Sequence, residues 1–114
     1  MSNVRRHTTH MGINAAWITE DGEPKQEVFD PRQCLTQLAT SRWHEFNQTK
    51  CLQFVDPWGD TVFNQGQVPH LLEELRAELS EISDPEIKVH LEKVIRLVER
   101  SVDQTHTYVK FIGD

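Results

Sequence analysis

Two amphipathic helices in direct succession constrain the fold of this chain more than any other feature of its sequence. Over residues 69–82, leucine and isoleucine recur at three- and four-residue spacing, which predicts a helix with one apolar stripe and a glutamate-rich face in water. The letters SDPE at 83–86 have the form of a capping box with proline in the first turn, so one helix ends there and another begins. The second stripe runs over 87–102, where Val89 and Leu97 widen it enough for the helix to be covered on two sides. Such a helical pair needs a further apolar layer to cover it.

The residues ahead of these helices alternate in a way that predicts strands. Residues 13–19 have one clearly buried face, the letters DGEP form a turn, and residues 25–29 return as the partner strand of a first hairpin. The apolar spacing over 31–40 then predicts a short helix with proline at its start. Trp43 and Phe46, three residues apart, suit a helical turn packed on the core.

A second hairpin is predicted in the middle of the chain. Residues 51–55 have apolar side chains on both faces, as in a strand that is partly buried on both sides. The letters DPWGD at 56–60 form a turn in which Gly59 is able to take a positive φ, and residues 61–64 return as the partner strand. A final strand over 107–112 is expected to pair with this hairpin.

This order of elements predicts an α+β fold, a mostly antiparallel sheet of about four to five strands with two to three helices on one face. A chain of 114 residues has room for one domain. Residues 1–10 offer Val4 as their one non-terminal apolar side chain, so we expect a flexible N-terminal arm followed by a single domain over 11–114.

The charge balance favours some partners over others. Twelve Lys and Arg residues against eighteen Asp and Glu residues give a net charge of −6. Arg5 and Arg6 are the charged residues of the first ten, so the rest of the chain carries −8. An acidic body repels phosphate, which argues against nucleic-acid binding, and it attracts a basic protein. The alternative is that the acidity serves only solubility.

Membrane insertion and disulfide bonding are not expected. The sequence contains no run of about 18 apolar residues, and its first ten residues are basic and polar rather than apolar like a secretory signal. Cys34 and Cys51 are too few for a disulfide framework. A cytoplasmic location is therefore the expectation.

No catalytic or cofactor signature is written in the sequence. It has no phosphate-binding GxxxxGK loop, no glycine-rich dinucleotide fingerprint and no nucleophile elbow. His7 and His10 have the spacing of two metal ligands but lack a third in the arm. Cys34 and Cys51 have apolar neighbours and are predicted to be small buried thiols rather than nucleophiles. Neither an enzyme activity nor a bound cofactor or metal is expected.

The turn between Asp56 and Asp60 allows two interpretations. Asp56, Asp60 and Asp114 could hold a divalent cation or share acid–base work, and a small metal-binding or hydrolytic enzyme would add a converging histidine, namely His44, His90 or His106. The favoured interpretation is structural: an aspartate before Pro-x-Gly accepts hydrogen bonds from amides of its own turn.

The three tryptophans are expected to differ. Trp17 alternates into a strand and is predicted to be core, and Trp43 is either core or rim. Trp58 lies in a turn, where it is either an exposed binding anchor or folded back over its own hairpin.

Residues 52–64, LQFVDPWGDTVFN, followed by a leucine-rich helix and the ending YVKFIGD, resemble a group of small bacterial proteins. That group shares an F-[VI]-D-P-x-G-D-T-x-F-N segment and a K-F-x-G-D-like final strand, and it often has Tyr where this chain has Trp58. The resemblance covers about half of the chain and implies no particular activity. In small size and acidity the chain also resembles immunity proteins of bacterial toxin systems, a likeness of general type.

The leading hypothesis is a non-enzymatic, acidic binding protein, most specifically an immunity protein that covers the active site of a basic toxin domain. A homodimer, assembled through a sheet edge or the face of Val89 and Leu97, is a further alternative. The expected contact residues lie on the first turn, the second turn and the helix after it: Glu20, Asp21, Glu23, Asp56, Trp58, Asp60, Glu73, Glu74 and Glu78.

Overall fold

A computed structural model describes residues 12–113, and the predicted arm over 1–10 lies outside this range. One antiparallel sheet contains four strands in the spatial order β2-β1-β4-β3. These are β1 (Asn14–Thr19), β2 (Pro24–Val28), β3 (Asp60–Phe63) and β4 (Thr107–Ile112). The final strand is therefore central, and it pairs with β1 as well as with β3.

Four helices pack against the sheet, which confirms the predicted α+β class. They are α1 (Cys34–Ser41), α2 (Trp43–Phe46), α3 (Val68–Glu81) and α4 (Pro85–Ser101). The number of helices exceeds the predicted two to three, because the helical turn predicted around Trp43 and Phe46 forms a separate helix, α2, after α1. Between residues 12 and 113, no helix is both long and apolar enough to cross a bilayer.

The first hairpin forms as predicted. Glu23 closes the turn by accepting a hydrogen bond from the Thr19 amide at 2.9 Å, and Gly22 has a φ of 86° that side-chain-bearing residues rarely adopt. β2 is a sheet edge, and its Pro24, Lys25 and Glu27 discourage pairing with a further strand.

The second hairpin does not form. Instead of a strand over 51–55, residues Leu52–Phe54 make one turn of 3₁₀ helix, and β3 pairs with β4 alone. The cause is Glu74 of α3, whose carboxylate accepts hydrogen bonds from successive amides of residues 50–52 and so curls this segment. Leu52 is consequently buried, whereas Phe54 is exposed.

The core lies between the helices and one face of the sheet. Val109 and Phe111 of β4 are buried, and the Phe111 ring meets Phe63 of β3 edge to face, with ring centroids 6.0 Å apart. Leu97 of α4 is fully buried here, so the predicted second apolar face of α4 reduces to Val89. The homodimer alternative therefore loses Leu97 as a contact residue.

Aspartates cap two of the helices. Asp84, rather than Ser83 as the capping-box pattern suggests, caps α4 by accepting hydrogen bonds from the amides of Glu86 and Ile87 at 2.9 and 3.2 Å. α1 begins at Cys34, later than predicted, because the Asp30 carboxylate accepts from the Cys34 and Leu35 amides at 2.6 and 2.9 Å.

Candidate functional site

The two acidic turns of the sequence prediction lie at opposite ends of the sheet. Thr19, which precedes the first turn, is opposite Thr107 at one end of β4, whereas Asp60 is opposite Ile112 at the other end. Six strand residues separate these ends, about 17–20 Å at 3.3–3.4 Å per residue. The first and second turns are therefore two separate patches.

The first turn is exposed and acidic. Glu20, Asp21 and Glu23 are all exposed, and Glu20 pairs with the His106 Nδ1 atom at 2.6 Å. Asp21 and Glu23 therefore give this end of the sheet a small anionic patch.

The second turn is held by its own aspartate, as predicted. The Asp56 Oδ1 atom accepts a hydrogen bond from the Trp58 amide at 2.8 Å. Asp60 forms an ion pair with Lys110 at 3.5 Å. Gly59 does not use the positive φ that glycine allows, since Gly22 is the glycine with that geometry among residues 12–113. Glycine suits position 59 for a different reason: a Cβ atom there would lie 3.0 Å from Asp56 Oδ2.

The glutamates of α3 do not form one wet face. Glu73 is exposed as predicted, but Glu74 is half-buried against the amides of residues 50–52. Glu78 is buried and forms an ion pair with Arg42, whose pKa is raised mainly by its hydrogen bond to Glu78. The prediction of Glu78 as a partner contact is therefore wrong, because Arg42 from the end of α1 neutralises it inside the fold.

Large aromatic side chains surround a groove next to the second turn. Trp43 of α2 is 63% exposed and Phe54 of the 3₁₀ turn is 60% exposed, and both line a groove of about 530 Å³. Asp56 is the one charged residue among the described residues that line the groove. Pro57 is the last residue of the lining in sequence, and Trp58, which follows it, is 71% exposed. We call this the aromatic groove; its lining also includes Phe46 and Val55.

The three tryptophans differ in their exposure, as expected. Trp58 is exposed rather than folded back over the turn, and Trp43 belongs to the rim. Trp17 is half-buried and packs against the core, with the Lys25 ammonium 5.0 Å from its ring centroid. The exposure of Phe54 was not predicted, because the sequence pattern places Phe54 in a strand.

A second cavity has a cluster of buried polar side chains at its base. Ligand atoms of Asp30, Cys34 and His90 all lie within 4.8 Å of one another, and all three residues are buried. The cavity has a volume of about 660 Å³ and opens between the segment after β2 and the start of α4. Phe29, 62% exposed, and Val89 lie at its mouth. We call it the Asp30 cleft.

The geometry of the cluster is set mainly by Asp30. Its Oδ2 atom accepts from the Ile13 and Leu35 amides at 3.1 and 2.9 Å, and its Oδ1 atom accepts from the Cys34 amide. His90 Nε2 lies 3.7 Å from Asp30 Oδ1, beyond hydrogen-bonding distance, and has no hydrogen-bond partner within residues 12–113.

Burial favours the uncharged forms of Cys34 and His90. Burial raises the pKa of the Cys34 thiol, and the Asp30 carboxylate raises it further. Burial lowers the pKa of His90, and this effect exceeds the opposing attraction of Asp30. A thiolate–imidazolium pair, as in cysteine hydrolases, is therefore disfavoured, and the prediction that Cys34 and Cys51 are buried thiols is confirmed.

The sequence places His90 only among the histidines that could converge on Asp56 and Asp60. In the part of the chain described, no group of three ligand atoms gathers around Asp56 and Asp60, and Asp114 lies outside that part; the group of this kind is Asp30, Cys34 and His90. His44 is exposed on α2. Sequence spacing provides no signal for the observed cluster, because Cys34 and His90 are 56 positions apart.

Comparison of the chain with protein-family models, curated proteins and solved structures finds no match.

Proposed function

We propose that this chain is a non-enzymatic binding protein that binds a basic protein partner at the aromatic groove and the adjoining second turn. The observation that carries the proposal is the exposure of Trp43 and Phe54, each 60% or more, in the lining of one groove that ends at Pro57, the sequence neighbour of the exposed Trp58. Aromatic side chains of this size dominate the binding energy of protein interfaces, and tryptophan is the most enriched among them. Singly exposed apolar residues are ordinary, but an apolar groove rimmed by such residues marks an interaction site.

Charge indicates the chemistry of the partner. Asp56 lines the groove, Asp60, which is paired with Lys110, ends the same turn, and no lysine or arginine among residues 12–113 lines the groove. The described body of the chain belongs to the part of the sequence that carries −8. A partner with lysine or arginine around an apolar anchor would gain both attraction during encounter and apolar burial.

The more specific form of this proposal is an immunity protein that covers the active site of a bacterial toxin domain, such as a basic nuclease. Asp56, Trp58 and Asp60 remain contact residues, joined by Trp43 and Phe54. Glu74 and Glu78 are withdrawn from the contact set, because each already binds groups inside the fold. Glu20, Asp21, Glu23 and Glu73 would contact only a partner large enough to extend beyond the groove.

Co-expression with the protein encoded by the adjacent gene tests the immunity proposal. The adjacent protein alone should stop growth, and this chain should restore it. Phe54→Ala should weaken the rescue, whereas Phe29→Ala, an equally exposed phenylalanine at the Asp30 cleft, should leave it intact. A non-toxic neighbour, or equal rescue by both variants, would contradict the proposal.

A further inference from the structure

We propose that Asp30, Cys34 and His90 form a binding site for one Zn²⁺ ion at the base of the Asp30 cleft. A carboxylate, a thiolate and an imidazole are each common zinc ligands, and three protein ligands with one open position is a known zinc arrangement. The combination of sulfur, nitrogen and oxygen suits Zn²⁺ better than Mg²⁺ or Ca²⁺, which prefer oxygen alone. This inference does not depend on the proposed protein-binding function, since the two cavities have separate linings.

The distances fit a metal better than they fit a hydrogen-bonded network. His90 Nε2 and Asp30 Oδ1 are 3.7 Å apart, too far for a hydrogen bond. In a tetrahedral site with bonds of about 2.0–2.2 Å, such atoms are about 3.4 Å apart. The ligand atoms of Asp30, Cys34 and His90 lie within 4.8 Å of one another, a looser spacing than that of a tetrahedral site. Small rotations of the side chains would bring these atoms to the tetrahedral spacing and complete the site.

The surroundings of His90 Nε2 also favour a bound metal. His90 is only 9% exposed, yet its Nε2 atom has no hydrogen-bond partner among residues 12–113 and lies beside two other ligand atoms. Buried polar atoms in native proteins are nearly always satisfied, so each exception calls for an explanation. Coordination to a metal would satisfy this one.

One of the three ligands, the Asp30 carboxylate, is already held in place by backbone amides. The Cys34 amide donates to Asp30 Oδ1 at 2.6 Å, which fixes the carboxylate against the first residue of α1. Oδ1 accepts from this one amide, so it retains a lone pair for a metal, whereas Oδ2 accepts from two amides. Such outer hydrogen bonds orient ligands in known metal sites.

The fourth coordination position would face the cleft. Phe29 and Val89 supply apolar walls, while Lys93 and the Arg32–Glu86 ion pair supply charge at the mouth. Water or a small ligand from the cleft would complete the coordination. Binding would release the Cys34 thiol proton to solvent, since the thiolate is the form that coordinates zinc.

Cobalt substitution tests the site on the full-length chain. Protein freed of metal with a chelator is titrated with Co²⁺, and absorption is recorded in the near ultraviolet for Co²⁺–thiolate bonding and in the visible for coordination geometry. We expect one Co²⁺ per chain, displaced by one equivalent of Zn²⁺. Zn²⁺ should also raise the melting temperature of the metal-free protein.

Matched variants decide which residues bind the metal. Cys34→Ser should abolish the near-ultraviolet band and the rise in melting temperature, whereas Cys51→Ser, at an equally buried free thiol, should keep both. His90→Gln should lower the affinity for Co²⁺ at least tenfold, and the double variant His7→Ala/His10→Ala should bind like the wild type. Circular dichroism confirms that each variant is folded. No binding by the wild type, an unchanged band in folded Cys34→Ser, or loss of binding in the His7/His10 variant would overturn the proposal.

Discussion

At the scale of single residues, one carboxylate organises the junction between the sheet and the first helix. Asp30 accepts hydrogen bonds from the amide of Ile13, just before β1, and from the first two amides of α1. Its own amide donates to the Asn14 side chain at 2.7 Å. Hydrogen bonds to a charged acceptor are stronger than neutral ones, so Asp30 stabilises the fold whether or not a metal is bound.

Replacement of Asp30 should therefore destabilise the metal-free protein. Asp30→Ala leaves three amides without their acceptor, and we expect a loss of about 3 kcal/mol or more in the free energy of unfolding. Urea denaturation measures this, with the exposed Asp21→Ala as control, for which the change should stay within about 0.5 kcal/mol. Similar losses for the two variants would show that the Asp30 hydrogen bonds contribute little.

A second prediction concerns the glycine that follows β4. The Gly113 amide donates to the Gly59 carbonyl at 2.8 Å, and a Cβ atom at 113 would overlap the carbonyl oxygen of Asp56 and lie 2.6 Å from that of Gly59. Gly113→Ala should cost about 1–3 kcal/mol of unfolding free energy, as overpacking does. Gly66→Ala, where the nearest atom is a side-chain oxygen at 3.3 Å, should cost less. Equal thermal stability of the two variants would argue against this close approach.

At the scale of elements, α3 fixes the irregular segment that carries the aromatic groove. Glu74 binds the amides of residues 50–52, and Glu78, one turn later, pairs with Arg42. These two carboxylates connect α3 to the end of α1 and to the 3₁₀ turn that bears Phe54. The shape of the groove therefore depends on two glutamates that the sequence pattern places on the exposed face of this helix.

Neighbouring glutamates on α3 should differ in their effect on stability. Glu74→Ala removes the acceptor of three amides, so we expect a loss of about 2–3 kcal/mol, whereas Glu73→Ala, which is exposed, should change the unfolding free energy by less than about 0.5 kcal/mol. Chemical denaturation of both variants provides the comparison. Hydrogen exchange should also be faster at the amides of 50–52 in Glu74→Ala, and unchanged exchange there would contradict the assigned role.

Elements with regular apolar spacing were predictable, and those held by side chains were not. The periods of α3 and α4 and the turn of the first hairpin follow from local sequence, and the structure confirms them. The strand expected over 51–55 failed because Glu74, distant in sequence, satisfies its amides. The Asp30 cleft escaped prediction for the same reason: His90 reaches Asp30 only after α4 packs beside the segment that follows β2.

At the scale of the whole molecule, the fold separates two surfaces of different chemistry. The described lining of the Asp30 cleft has charged side chains of both signs and buried polar groups at its base, whereas that of the aromatic groove has Asp56 as its one charged residue and apolar side chains exposed to solvent. Exposed tryptophan contributes little to the stability of a free protein, yet it contributes strongly to an interface that buries it. Substitutions in the groove should therefore change the affinity for a partner more than they change the stability of the free protein.

Calorimetric titration of the adjacent-gene protein with wild type and Trp58→Ala tests the proposed function most directly. We expect Trp58→Ala to weaken binding at least about 30-fold, as loss of a hot-spot residue worth about 2 kcal/mol does, with its melting temperature almost unchanged. Phe29→Ala, remote from the groove, should bind like the wild type. Unchanged affinity of a folded Trp58→Ala variant, or a comparable loss in Phe29→Ala, would contradict the account.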